Sequence, residues 1–233
     1  MSERARLEEL KQVDVTGAVL DYCLGATATW DTDVLRALRE ETAALGDVAV
    51  MQIPPLQDSL LTMLVASIRA RVAVEVGTFT GASAISIARG LVLSGVEDPR
   101  LFCHDVSNEW TAIARRYWER AGLSGVIELS IGPALETLPR TVESLGSLRI
   151  DFVFIDADKV NSRAYIEALY GAMRPGGIIV VDNALRDGRV LPGGAQTDSD
   201  RASAALNRDL AQDERFETLL LPLADGLLIC RVC

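Results

Sequence analysis

Apolar and polar positions along the chain switch between two periods. From residue 72 onward, short runs rich in β-branched and aromatic residues alternate with segments whose apolar residues recur every three or four positions. The runs are Val72–Val76, residues 100–104 ending at Asp105, Val126–Ile131, Asp151–Ile155 and Ile178–Val181. Between them, the spacing predicts helices from about Ser83 to Leu93, over 108–121 and over 133–145. A further helix-length stretch follows Lys159 and closes at a Pro175-Gly-Gly177 turn. Runs that are apolar at nearly every position read as strands buried on both faces. Strands joined by helices pair in parallel, and together they predict an α/β fold with a doubly wound sheet. After Asn183, a Gly/Pro loop over Leu185–Gly194 leads to a helix at about 199–212. Phe216–Leu221 and Gly226–Val232 then read as a hairpin that adds an antiparallel strand.

The front of the chain has helical periodicity and no strand signal. Leu7, Leu10, Val13, Val19, Leu20 and Leu24 fit one apolar face over residues 3–25. Val34, Leu35, Leu38, Ala43 and Leu45 fit another over 31–46, with Asp31 or Thr32 as its cap. Met51–Gln57 is a loop broken by Pro54 and Pro55, and a helix over 58–70 turns Leu60, Leu61, Leu64 and Ile68 inward. The expected organisation is a helical extension over residues 1–50 and a sheet domain over 51–233, within one structural domain. The extension serves packing alone, or a lid or dimer contact. At 233 residues, nothing demands a second domain.

Parallel strands end on one edge, where open α/β sheets bind ligands. Asp156, Asp182 and Asn183 follow two of the runs directly, so they are expected to gather there with Lys159 just beyond. The net charge of −10 argues against nucleic acid or an anionic membrane as partner. The chain has no run of 18 apolar residues and begins with mixed charge, which gives a cytoplasmic expectation. The four cysteines are too scattered for a disulfide framework. Cys230 and Cys233 close an apolar run and read as small hydrophobes. The single histidine, His104, reads as a strand-end residue without catalytic duty.

The turn Gly77-Thr-Phe-Thr-Gly81 between a strand and a helix is of nucleotide-binding type. Phe79 stands where a dinucleotide fold has its central glycine, and no Gly-Lys-Ser/Thr of a phosphate loop follows. Glu75 at the strand end repels phosphate and can attract a cationic amino group, although pairing with a nearby arginine would also account for it. Asp105 closes the second strand, where an acid meets ribose hydroxyls or simply caps a turn. An adenosine ligand without phosphates fits this set, and S-adenosylmethionine (SAM) is such a ligand. The same features disfavour a nicotinamide-dependent oxidoreductase.

Met51-Gln-Ile53, Glu75-Val-Gly-Thr-Phe-Thr-Gly81, Asp105-Val-Ser107, Phe152-Val-Phe-Ile-Asp-Ala-Asp-Lys159-Val-Asn161, Arg174-Pro-Gly-Gly177 and Val181-Asp-Asn183 resemble the caffeoyl-CoA/catechol-type O-methyltransferases from about residue 30 onward. The resemblance implies a Rossmann-like, seven-stranded SAM-dependent fold with its last strand antiparallel, and commonly a homodimer. It also implies a divalent metal, usually magnesium, with calcium or manganese as alternatives. Carried over by motif, Asp156, Asp182 and Asn183 are the expected metal ligands. Lys159, with Asp156, is expected to act on the acceptor hydroxyl as base. Met51, Glu75, Gly77, Thr78, Gly81, Ser83, Asp105, Val106, Pro133, Ala134 and Asp156 are expected to hold SAM. The acceptor implied is a small molecule with vicinal hydroxyls, catechol-like, one hydroxyl of which is methylated. The chain departs from the family at Ala82, Ser162 and Arg186, and Leu56 and Asp58 stand where the family has an acid and a glycine. Two of these changes remove aromatics near the acceptor, and Arg186 is then expected to meet a carboxylated or carrier-bound hydroxyacyl acceptor. A non-catalytic SAM-binding relative is the remaining alternative.

Overall fold

The computed structural model describes residues 13–27 and 32–233. Leu7, Leu10 and Asp31 lie outside the described residues. The strands are β1 (Val72–Val76), β2 (Arg100–Asp105), β3 (Ile127–Ile131), β4 (Ile150–Ile155), β5 (Met173–Val181), β6 (Phe216–Leu221) and β7 (Leu227–Val232). The helices are α1 (Gly17–Ala26), α2 (Asp33–Ala43), α3 (Pro55–Ser67), α4 (Ala82–Leu93), α5 (Asn108–Arg120), α6 (Ala134–Leu145), α7 (Ser162–Tyr170) and α8 (Asp198–Leu210). All seven strands join one sheet in the order β3-β2-β1-β4-β5-β7-β6. The first five run parallel, and β7 lies antiparallel between β5 and β6.

Two cores follow from the period-2 alternation of side chains along the strands. Phe152 and Phe154 of β4 point to the face covered by α2, α3, α4 and α5, among Leu38, Leu61, Ile85 and Trp118. Val153 and Ile155 point to the other face, among Leu138, Ile166, Leu169 and Leu206 from α6, α7 and α8. Every residue of β1 and β4 is buried, as strands covered on both faces require. At the strand starts, Asp151 accepts from the backbone N–H groups of Arg71 (2.8 Å) and Val72 (2.9 Å) and pairs with Arg174. That end of the sheet is tied by structural charge, which leaves the opposite end for ligands.

Three boundaries differ from the sequence reading. Pro175-Gly-Gly177 is not a turn but part of β5, where pairing with β4 shifts register between Ile150 and Phe152. An irregularity of this kind accepts a proline, which has no N–H for the ladder. The helix expected at 58–70 begins earlier, at Pro55, because proline at the first helical position carries a preset φ and gives up only an N–H that has no intrahelical partner. Of the helix expected over residues 3–25, the described part is helical over Gly17–Ala26 after a Thr16 cap, with residues 13–16 outside it, and the remainder lies outside the described residues. Thr32 caps α2 by accepting from Leu35 N–H at 3.3 Å.

α1 and α2 are used differently. α2 buries Leu35 and Leu38 in the first core, whereas α1 buries none of its residues and leaves Tyr22 77% exposed. The stretch Gly46–Ser67 is long and apolar enough on average to cross a membrane. It is nevertheless divided into a 3₁₀ turn (Gly46–Met51) and α3, and α3 places Leu61 and Val65 in the core. Leu38→Ala is therefore expected to cost about 2–5 kcal/mol, while Leu20→Ala on α1 stays within about 0.5 kcal/mol. Chemical denaturation of the two variants measures this. Equal costs would contradict the assignment of α2 to the core.

Candidate active site

Strand register sets the floor of the site. Val76 pairs with Ile155, and Ile155 with Val181, so the next residues of three adjacent strands stand side by side. The ladder continues one step past the strands. Gly77 N–H donates to the His104 carbonyl (2.9 Å), Asp156 N–H to that of Val76 (2.8 Å) and Asp182 N–H to that of Ile155 (3.0 Å). Backbone hydrogen bonds thus place the glycine turn and both acids on one edge. A cavity of about 630 Å³ opens over this edge. Of the expected site residues, Met51, Gly77, Thr78, Gly81, Ser83, Asp105, Val106, Ala134, Asp156, Lys159, Asp182 and Asn183 line it. Glu75 and Pro133 stand outside its wall.

The glycine turn is built for close approach. Gly77 (φ 91°) and Gly81 (φ 89°) are both left-handed, and a Cβ on Gly77 would run into the Asp156 carbonyl oxygen. Phe79 holds φ 51° without being glycine, and its ring stands edge-on to Trp110 at 5.0 Å between centroids. Asp105 braces the turn: Oδ2 accepts from Thr78 N–H (2.9 Å) and Phe79 N–H (2.8 Å), and Oδ1 from Ser107 N–H (2.7 Å). Oδ1, with one donor, keeps acceptor capacity for a ligand hydroxyl, while Oδ2 is already taken by two. The start of α4 at Ala82 and Ser83 faces the cavity.

Glu75 is completely buried behind this turn. Its Oε2 accepts the Thr78 hydroxyl at 2.9 Å, and among the described residues its Oε1 has no hydrogen-bond partner. Burial raises its pKa from 4.5 to about 7, against the lowering pull of the nearby Ser83 and Thr78 side chains. Among the described residues, the groups that act on Glu75 are Ser83, Thr78, Cys103 and Asp105 rather than an arginine. His104 is buried too, with Nδ1 2.7 Å from the Thr137 hydroxyl and Nε2 3.3 Å from that of Thr141. Desolvation lowers its pKa to about 4, so the ring is neutral and held by threonines.

On the other side of the cavity the acids converge. Lys159 Nζ lies 2.9 Å from Asp156 Oδ1, and its side chain is only 10% exposed. Asp182 is buried, and its Oδ1 accepts from Asn183 N–H at 2.6 Å. Asn183 itself is left-handed at φ 54°. Burial, reinforced by the nearby Asp156 charge, raises Asp182 from 3.8 to about 7. Asp158 caps the short turn Lys159–Asn161, accepting from Asn161 N–H at 3.2 Å and Nδ2 at 2.6 Å, and it also takes the Tyr165 hydroxyl. It is the structural loop acid of this motif. Among the described residues, no three His, Cys, Asp or Glu side chains form a metal-holding group. At the ends of β4 and β5 the oxygen donors are the carboxylates of Asp156 and Asp182 and the amide of Asn183.

The acceptor side differs from expectation at Arg186. Its Nε pairs with Asp200 Oδ1 at 3.2 Å, where Arg189 Nε also sits at 3.2 Å. Arg186 does not line the cavity, because fully buried Asp200 draws both guanidinium groups toward α8. Ser162 is likewise buried and does not line the cavity, and among the described residues its hydroxyl has no partner. The wall there comes from Tyr165, Asp187 and the tip of the β6–β7 hairpin, Ala224 and Asp225. Ala184 N–H donates to Gly226 (2.9 Å), Leu185 N–H to the Asp225 carbonyl (2.8 Å) and Asp187 N–H to Asp225 Oδ1 (2.6 Å), locking the hairpin to the loop after β5. These residues, with Gln57 and Trp110, were not marked by any local motif. Gln57 meets Asp182, Trp110 meets Phe79 and Asp187 meets Asp225 from distant parts of the chain, whereas Tyr165 bonds Asp158 within the adjoining loop.

A sheet of this order, with a glycine turn after β1 and an acid after β2, belongs to the Rossmann-like methyltransferases. An O-methyltransferase from Bacillus cereus, solved in complex with SAH, matches over 92% of this chain and 97% of its own at 29% identity and a TM-score of 0.82. An O-methyltransferase of Streptomyces achromogenes involved in tomaymycin synthesis, solved with SAM, matches over 91% and 95% at 25% identity, also at 0.82. Within that class the chain belongs to the O-methyltransferase family, whose model matches residues 25–233. A probable caffeoyl-CoA O-methyltransferase of Dictyostelium discoideum is 33% identical, covering 93% of this chain and 92% of that protein. A catechol O-methyltransferase of Niastella koreensis is 29% identical, covering 88% and 90%.

Glu75 sets a pH dependence. Between 4.5 and about 7 the folded, ligand-free protein keeps a proton that the unfolded chain releases, so stability falls as pH rises through that window. Glu75→Gln removes this contribution, on the order of 2–3 kcal/mol. Denaturation at pH 5 and pH 7.5 is expected to show a smaller loss in the variant than in the unmodified chain. Equal losses would show that Glu75 ionises freely.

Proposed function

We propose that the chain is a SAM- and divalent-metal-dependent O-methyltransferase acting on one of two vicinal hydroxyls of a small aromatic acceptor. The observation that carries this reading is that Asp156, Lys159, Asp182 and Asn183 share one cavity with the Gly77–Gly81 turn. The turn, its brace Asp105 and the aromatic pair Phe79–Trp110 form the side suited to an adenosine. Solved relatives that carry SAM or SAH support the same cofactor here.

The donor set fits a hard cation. Two carboxylates lie close enough for one to raise the other's pKa, with Lys159 as counter-charge on one side. Oxygen donors without cysteine or histidine suit Mg²⁺ or a similar ion, and Asp156, Asp182 and Asn183 are the residues that would hold it. When bound, such an ion supplies Lewis-acid stabilisation of the acceptor oxygen and orients the diol. The chain's own residues do the remaining work. Lys159, once it has released its own proton to solvent, would receive the acceptor's hydroxyl proton on Nζ, and Asp156 Oδ1, 2.9 Å away, would balance the ammonium so formed. With donor and acceptor bound, the cavity would hold nucleophile and methyl group in one place, and orientation of that kind can supply several kcal/mol of the barrier.

Two results follow. EDTA is expected to abolish methyl transfer to a catechol panel, with Mg²⁺ restoring it. Lys159→Met should lower kcat by about 10²–10⁴-fold while leaving SAM affinity by calorimetry unchanged. Turnover indifferent to EDTA would remove the metal, and no turnover on any vicinal diol despite SAM binding would favour a non-catalytic relative. The second concerns acceptor charge. Arg186 is engaged by Asp200, and Asp158, Asp187 and Asp225 line the mouth, which favours neutral or amine-bearing catechols over carboxylated ones. Comparing kcat/KM across matched acceptors checks this. A clear preference for the carboxylated acceptor would restore an anion-binding role to the pocket.

A further inference from the structure

Gln57 occupies an unusual position for an amide. It is the third residue of α3, it is completely buried, and it lines the cavity. Its Nε2 donates to Asp182 Oδ2 at 2.7 Å across a separation of 125 residues. Among the described residues its Oε1 is enclosed with no hydrogen-bond partner. With Asn183 N–H on the other oxygen, Gln57 fixes Asp182 from both sides. A buried amide whose carbonyl goes unpaired is a poor way to stabilise a fold, since an apolar side chain of the same shape would avoid that desolvation.

The same turn of α3 is anchored on its other side. Asp58 accepts the Ser86 hydroxyl at 2.9 Å and pairs with Arg39 of α2. Arg39 Nη1 also donates to the Ile53 carbonyl at 2.8 Å, holding the segment Met51–Pro54 that walls the cavity. Gln52 of that segment donates to the Thr42 hydroxyl at 3.1 Å, which in turn donates to the hydroxyl of Thr80 in the glycine turn at 2.9 Å. The start of α3 is therefore joined to the cofactor side through Asp58, Gln52 and Thr80. Gln57 joins it to the acidic edge.

We propose that Gln57 is a positioning residue for the acidic edge: its amide sets the orientation in which Asp182 faces the cavity, and it couples that carboxylate to the segment covering the cofactor side. This rests on the reading of Asp182 as a metal ligand. Residues that orient metal ligands from behind typically change metal affinity or activity by about 10–100-fold. Gln57→Met keeps length and removes both polar groups, whereas Gln57→Glu keeps the shape and sets a carboxylate against Asp182.

The test is titration of the full-length protein with Mn²⁺ by calorimetry, without SAM or acceptor, beside thermal melts. Gln57→Met is expected to melt at the same temperature or higher, yet to bind Mn²⁺ about 10–100-fold more weakly, with kcat falling in parallel. Gln57→Glu should not restore the original Mn²⁺ affinity or kcat. Unchanged Mn²⁺ affinity and kcat in Gln57→Met would overturn the positioning role and leave the metal reading intact. A drop in melting temperature with unchanged affinity would make Gln57 a packing residue and overturn the proposal. If the unsubstituted protein binds no Mn²⁺ and EDTA does not affect turnover, the metal reading fails and the proposal falls with it.

Discussion

Everything at this site depends on three parallel strands ending in step. The pairing of Val76 with Ile155 and of Ile155 with Val181 is a backbone constraint, and the ladder runs on by one hydrogen bond at Gly77, Asp156 and Asp182. Once that register is fixed, the residue following each strand has one place to go. The burial of both sheet faces makes the register hard to change, because a one-residue slip would exchange Phe152 and Phe154 with Val153 and Ile155 across two differently shaped cores. A hydrophobic packing choice thus becomes the placement of two carboxylates.

What surrounds that edge comes from both ends of the chain. The segment after α2 covers the cofactor side and is clamped by Arg39, Asp58 and Thr42. The β6–β7 hairpin supplies the opposite wall through Ala224 and Asp225. Gly226, at φ 87°, lets the hairpin come against Leu185 where a side chain would collide. Enclosure has an electrostatic consequence. Glu75 and Asp182 are each raised to about 7 mainly by loss of water, and a cationic cofactor or a metal beside them would favour their ionised form.

The sequence carried most of the fold because each strand from Val72 to Val181 is a dense apolar run and each helix a periodic one. It misjudged Pro175-Gly-Gly177 because turn residues within a strand look the same as turn residues between elements. The acids were legible for the same local reason: they follow apolar runs directly. Arg186 was misread because its fate is decided by Asp200, fourteen residues on, whose burial no local pattern announces. Gln57 was invisible for a stronger reason of the same kind, since its meaning lies entirely in a contact with Asp182. Residue type and spacing identify groups that act where they stand. They do not identify groups that act on a distant partner.

The central claim, that one sheet edge holds a metal between Asp156, Asp182 and Asn183 beside a SAM-type cofactor, is most directly tested by crystals grown with SAH and Mn²⁺. Anomalous scattering is expected to place a manganese peak within coordination distance of those three side chains, with SAH over the Gly77–Gly81 turn. SAH bound at that turn with no peak at the edge, or with manganese held elsewhere, would contradict it.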